Sequence, residues 1–251
     1  MDDLLLLIDL HKDGARQGPG GDDETSLAVS LSGLRGATNL KIADIGCGTG
    51  ASTLVLAREL DAHITAVDFC PEFLTKLEDV AARAGVADRI TTLSASMEAL
   101  PFAEAAYDAI WSEGAIYNMG FAAGVQAWSN YLKPNGILAV SELTWLTDQR
   151  PEELQNHWER EYPEVDTASG KMAVLERLGF SPIGYFPLPE YCWLDNYYRP
   201  MQQRFSGYLD RHKDSEAARE IVAAEENEIS LYERHKAFVS YGYYIARKFG
   251  R

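Results

Sequence analysis

The chain is short of positive charge. Its 251 residues carry 23 Lys and Arg against 38 Asp and Glu, a formal net charge of −15. Nucleic-acid affinity rests largely on Lys and Arg neutralising phosphates, so this balance argues against a phosphate-backbone binder and, equally, against an anionic membrane surface. Cysteine is scarce as well. Cys47, Cys70 and Cys192 are scattered with no CxxC pair, which argues against a disulfide framework and for reduced thiols in a cytoplasm. Five histidines without HExxH or comparable spacing give a metal site no support. Long apolar runs are missing. The LLLLI near the N-terminus follows Asp2 and Asp3, where a secretory signal wants positive charge. Nothing approaches the ~18 apolar residues of a membrane span.

What is present is globular material, 46% hydrophobic, enough for a sizeable core. The expected organisation is one domain over 1–251, with an N-terminal arm and helix over 1–35, a ligand-binding core over 40–145 and a helical lid insertion over 190–236. From residue 40 strand-like and helix-like segments alternate: LKIADI, ASTLVLAREL, HITAVDF, PEFLTKLEDVAARAG, RITTL, YDAIWS, FAAGVQAWSNYL and GILAVSEL after a KPNG turn. Pro71 at a first helical position and Gly85 as a C-terminal stop bracket the second helix. Such alternation predicts a parallel sheet with helices on both faces. Beyond residue 145 come two helices, PEELQNHWEREYP and TASGKMAVLERLG, then FSPIGYFPLP, whose prolines suit an edge strand. A polar helical stretch over about 195–236 reads as two solvated helices, and VSYGYYIARKF closes the chain as an alternating strand. GDDETS opens a helix near the N-terminus, with Asp22 or Asp23 expected as its N-cap.

The segment ADIGCGTG at 43–50 sits at the first strand-to-helix turn, the place where open parallel sheets bind ligands. Its glycines admit positive φ and close approach, and the helix beyond offers free N–H groups. Asp68, ending the second strand, is placed for two ribose hydroxyls. These features suit a nicotinamide dinucleotide and an adenosyl ligand equally. Asp44, two residues ahead of Gly46, is an odd companion for a pyrophosphate but a sensible one for a cation. Together with SMEALPF, YDAIWS and the absence of a second nucleotide-binding half, these residues resemble class I S-adenosylmethionine (SAM)-dependent methyltransferases, particularly the small-molecule, ubiquinone/menaquinone-type group. RQGPG and SEGAIYN resemble a bacterial and archaeal subgroup.

The resemblance implies a Rossmann-like, seven-stranded, mostly parallel sheet with helices on both faces and a helical lid. It implies SAM as cofactor and S-adenosylhomocysteine (SAH) as product. Asp44 and the loop Gly46, Cys47, Gly48, Thr49 and Gly50 would face methionine and ribose. Asp68 would hold the ribose, Phe69 and Met97 would flank the adenine, and Ser96 would stand near its amine. Many relatives carry Asp at the Ser96 position, so a backbone contact is the alternative there. Ser112 would lie near the methyl donor, and Arg16 near a carboxylate. Cys47 reads as a space-filler. Glu113 and Tyr117 are the candidate bases, with a structural carboxylate bonded to Arg16 as the other reading of Glu113. Trp145, Trp193, Tyr197 and Tyr198 are the candidate acceptor walls, with Glu142 beside them. The expected function is methyl transfer to a small-molecule acceptor. A non-catalytic SAM-binding regulator and a nicotinamide-dependent oxidoreductase are the alternatives.

Overall fold

Buried parallel strands need apolar side chains on both faces, and the central segments supply them. In the computed structural model, which describes residues 3–250, β1 (Leu40–Ile45), β2 (Ala62–Asp68), β3 (Ile90–Ser94), β4 (Tyr107–Glu113) and β5 (Leu132–Trp145) run parallel. Met1, Asp2 and Arg251, which the one-domain expectation also spans, lie outside the described residues. Side chains alternate between two cores, as the two-residue period of a strand requires. Ile42, Ile64, Trp111 and Ala139 enter one. Ala43, Val67, Ile110 and Val140 enter the other.

The strand order is β3-β2-β1-β4-β5-β8-β7. A two-residue strand, β6 (Asp166–Thr167), pairs with β5 off that path. The expected edge strand is β7 (Phe180–Pro187), which among the described residues pairs only with β8 (Val239–Lys248), so Pro182 and Pro187 cost no second ladder. β8 runs antiparallel between β5 and β7 and is buried on both faces over most of its length. The alternating strand read from its sequence has both faces covered, Tyr243 and Ile245 entering the first core and Tyr244 and Ala246 the second.

On the first core lie α1 (Asp3–His11), α2 (Asp22–Ser32), α3 (Ala51–Glu59), α4 (Pro71–Ala84), α9 (Arg199–Arg211) and α10 (Glu216–His235), with α6 (Glu152–Glu161) beside them. α5 (Phe121–Ser129) and α7 (Ala168–Arg177) cover the second. The helical region expected from Asp195 begins earlier, with α8 (Glu190–Trp193) and a π-type turn over Leu194–Tyr198. The N-cap of α2 is Gly21, not Asp22 or Asp23. Asp22 instead accepts a bond from Arg16 at 2.9 Å, and Thr25 Oγ1 donates to the Gly21 carbonyl. No helix among the described residues is long and apolar enough to cross a membrane.

Candidate active site

Strand order reverses between β1 and β4, which opens a crevice beyond their carboxyl ends. The glycine loop crosses that crevice. Gly46 and Cys47 both donate backbone N–H bonds to the Val67 carbonyl, at 2.8 and 3.0 Å, tying the turn to β2. Gly46 has φ +72°, and a Cβ there would run into the Ala115 side chain. Only glycine serves both demands.

A cavity of about 450 Å³ lies over the loop. Gly46, Cys47, Gly48, Asp68, Phe69, Ser96, Met97, Arg16, Glu113 and Tyr117 all line it, so most of the residues expected from sequence converge on one space. Four do not reach its wall. Asp44 is fully buried, its Oδ2 accepting from Ser52 at 2.8 Å and Thr53 at 2.6 Å while Oδ1 has no partner among the described residues. Thr49 spends its hydroxyl on the Gly14 and Ala15 carbonyls and its N–H on Gln17 Oε1. Gly50 caps α3, and Ser112 is wholly buried in β4.

Burial governs the electrostatics. Desolvation pushes the Asp44 carboxyl up to about 7, with the Thr53 and Ser52 hydroxyls opposing it. It raises Asp68 too, although Asp68 accepts backbone N–H bonds from Gly48 and Cys70, both 2.9 Å. A carboxylate has four lone-pair sites, so these two bonds leave acceptor capacity on Asp68. Burial lifts the Cys47 thiol well above its ordinary range, as befits a space-filler.

Glu113 is fully engaged. Oε1 accepts from Thr25 Oγ1 (2.7 Å), Tyr243 OH (2.9 Å) and Trp111 Nε1 (3.1 Å), while Oε2 accepts from Arg16 Nη1 (3.2 Å). Of the two sequence readings, the carboxylate bonded to Arg16 matches this geometry. Gln17 continues the arm over the loop, its Nε2 donating to the His11 and Gly14 carbonyls.

A second cavity of about 640 Å³ shares Gln17, Gly18, Pro19, Cys70, Phe73, Gly114 and Tyr117 with the first. Trp193, Tyr197 and Glu142 line it. Trp145 and Tyr198 do not. The Trp145 ring is covered by the Arg150 guanidinium at 4.3 Å, and Tyr198 is buried with its hydroxyl donating to Glu228 at 2.8 Å. Sequence reasoning missed Trp158, Tyr162 and Tyr241, and misread α10 as merely solvated: Ala224, Glu225, Asn227 and Glu228 form its cavity face. The i, i+1, i+3, i+4 spacing of those four was the available signal. Desolvation raises both Glu142 and Glu228 to about 7, opposed at Glu142 by the Lys171 charge. Burial also raises Tyr117, so its hydroxyl stays protonated at neutral pH.

The first cavity fits SAM on structural grounds. A buried carboxyl with an unpartnered oxygen stands one layer behind the loop, and Asp68 reaches the wall with acceptor sites in hand. Residues 42–136 match the family described as "Methyltransferase domain". Over 103 residues the chain is 27% identical to 27-O-demethylrifamycin SV methyltransferase of Amycolatopsis mediterranei, covering 41% of this chain and 38% of that one. It is 24% identical to the glycine/sarcosine/dimethylglycine N-methyltransferase of Actinopolyspora halophila, over 73% of this chain and 33% of the relative. The chain thus spans about a third of the length of these named relatives. A SAM-dependent methyltransferase from Geobacter sulfurreducens, solved with SAH, shares the fold with a TM-score of 0.84 at 18% identity, over 98% of both chains.

Proposed function

We propose that this class I SAM-dependent methyltransferase holds its methyl donor in the first cavity and methylates a small molecule seated in the second. The observation that carries this reading is the shared wall. Gly114 and Tyr117, just beyond the β4 carboxyl end, border both spaces. SAM supplies an activated methyl group on a sulfonium. The chain's own work is to align an acceptor with it, and such alignment provides much of the barrier reduction.

Asp68 holds the ribose hydroxyls, Phe69 and Met97 flank the adenine, and Ser96 or its backbone meets the base edge. The glycine loop lets the ligand lie close. Arg16 and Glu113 act as positioning residues that fasten the arm across the donor. Tyr117, protonated at neutral pH, orients the acceptor at the boundary as a hydrogen-bond donor. Trp193 and Tyr197 wall the acceptor, and the 190–236 helices with α1 and α6 form the lid. Three free, buried cysteines support a reducing, cytoplasmic compartment. The two named relatives have different acceptors in their names, so the acceptor must be read from this chain's own cavity.

Incubating the protein with methyl-deuterated SAM and a small-molecule extract tests the reading by mass spectrometry. A labelled metabolite with stoichiometric SAH supports it. SAM binding without SAH would favour a non-catalytic regulator, and NADPH binding without SAM binding an oxidoreductase. Asp68→Ala is expected to weaken SAM about thirtyfold, roughly 2 kcal/mol for lost charge-assisted bonds. Unchanged affinity by calorimetry would remove the ribose assignment.

A further inference from the structure

The second cavity carries more acid than its basic groups balance. Glu142, Glu161, Glu225 and Glu228 border it, against Arg160 and the imidazoles of His11 and His157. Arg160 is committed to Glu161 at 3.0 Å, and His11 faces Glu225 at 3.7 Å. Glu142 and Glu228 remain. Glu142 is 1% exposed; its Oε1 accepts from the Leu143 N–H at 2.6 Å, and its Oε2 makes no hydrogen bond of ordinary geometry among the described residues, with the nearby Tyr162 hydroxyl favouring the charged form. The Lys171 ammonium behind the wall offsets part of that charge. It donates its own bonds elsewhere, to the Tyr162 hydroxyl at 3.2 Å and the Glu164 carbonyl at 2.9 Å.

A buried carboxylate with an open oxygen is costly unless something pairs with it. The remaining walls point to the sign of the missing partner. Tyr117, Trp158, Tyr162, Trp193, Tyr197 and Tyr241 line the same space. Aromatic faces attract ammonium groups, most strongly where water is displaced. The π-type turn at Leu194–Tyr198 helps deliver Tyr197, whose ring stacks on His11 at 6.2 Å. An anionic acceptor would meet the carboxylates of Glu142 on β5 and Glu228 on α10, while Arg160 at the rim is paired with Glu161.

We infer that the acceptor is a small amine, held as its ammonium between the Glu142 carboxylate and the aromatic walls of the second cavity. This rests on the two-cavity reading above. The bound ammonium passes one proton to Glu142. The freed nitrogen lone pair forms the new N–C bond as the S–C bond breaks with its electron pair onto sulfur. The product is an N-methylammonium ion beside neutral SAH, and Glu142 returns its proton to water as product leaves.

The test compares two inert probes of one shape on SAH-saturated protein by calorimetry: choline, a quaternary ammonium, and 3,3-dimethylbutan-1-ol, its uncharged counterpart. Choline is expected to bind at least about tenfold tighter. Glu142→Gln is expected to bring the two within about twofold while SAH affinity stays as in the wild type. Equal affinities in the wild-type protein, or tighter binding of the alcohol, would overturn the inference and leave the methyltransferase reading standing. Failure to bind SAM or SAH at all would remove both. The wild-type comparison needs no variant to fold.

Discussion

Glu113→Ala is expected to cost about 4 kcal/mol of stability and to abolish SAM binding at micromolar concentrations, because removing one partner of a buried ion pair strands the other. The Arg16 and Glu113 side chains are 10% and 9% exposed. Without Glu113 the guanidinium keeps only Asp22, which is 65% exposed. The Thr25, Trp111 and Tyr243 donors lose their shared acceptor at the same time. These four donors come from the N-terminal arm, α2, β4 and β8, so one carboxylate ties together the parts that frame the first cavity. A loss of that size lowers the melting temperature by about 10 °C in a chain of this length. Glu113→Gln separates anchor from base. A general base replaced by its amide loses turnover while stability and SAM affinity hold. An anchor loses stability and SAM affinity together, and Arg16→Gln in the same chain then recovers part of the stability. Thermal melts and SAM titrations on the three variants decide between these outcomes.

The contrast between Glu113 and the glycine loop explains what the sequence made legible. Gly46, Gly48 and Asp68 act through backbone geometry and strand order, and both are written locally: a short apolar strand, a glycine turn, a helix, a second strand ending in acid. The donors to Glu113 are local only for Trp111. Arg16, Thr25 and Tyr243 lie 97, 88 and 130 residues away, a distance no spacing pattern spans. The acceptor cavity was harder still. Glu225 and Glu228 look like the solvated charges of a surface helix until α1 and α6 close over them, and only then do they become half-buried acids facing aromatic rings. Trp145 fails as an acceptor wall for a related reason. A strand's end residue points to either face depending on register, and the pairing of Trp145 with Val239 of the inserted β8 sets that register.

The ligand-free protein is expected to lose stability as pH rises from about 4 to 7, with Asp44 carrying the largest share. The sign follows from proton binding. Burial lifts the Asp44 pKa from 3.8 to about 7, so between those values the folded state holds a proton that the unfolded chain has released. Its contribution is complete below pH 4, falls across the interval, and is gone above 7. At 1.36 kcal/mol per unit the swing is about 4 kcal/mol. Glu142 and Glu228, raised from 4.5 to about 7, act in the same direction. Asp44→Asn removes its share of the slope, so the variant is expected to be more stable than the wild type at pH 8 by urea melts. Either end of the new amide can face Ser52 and Thr53, which now donate to Oδ2, because hydroxyls accept as well as donate. The same substitution is expected to weaken SAM about tenfold at pH 8, since a buried anion favours the ligand's positive charge at close range. Wild-type SAM binding at pH 6.5 should therefore release protons, detected as a buffer-dependent enthalpy, and Asp44→Asn should release fewer. A variant that kept the wild-type slope and proton release would show that Asp44 is ionised throughout, held down by Ser52 and Thr53, and that the loop is kept for its shape alone.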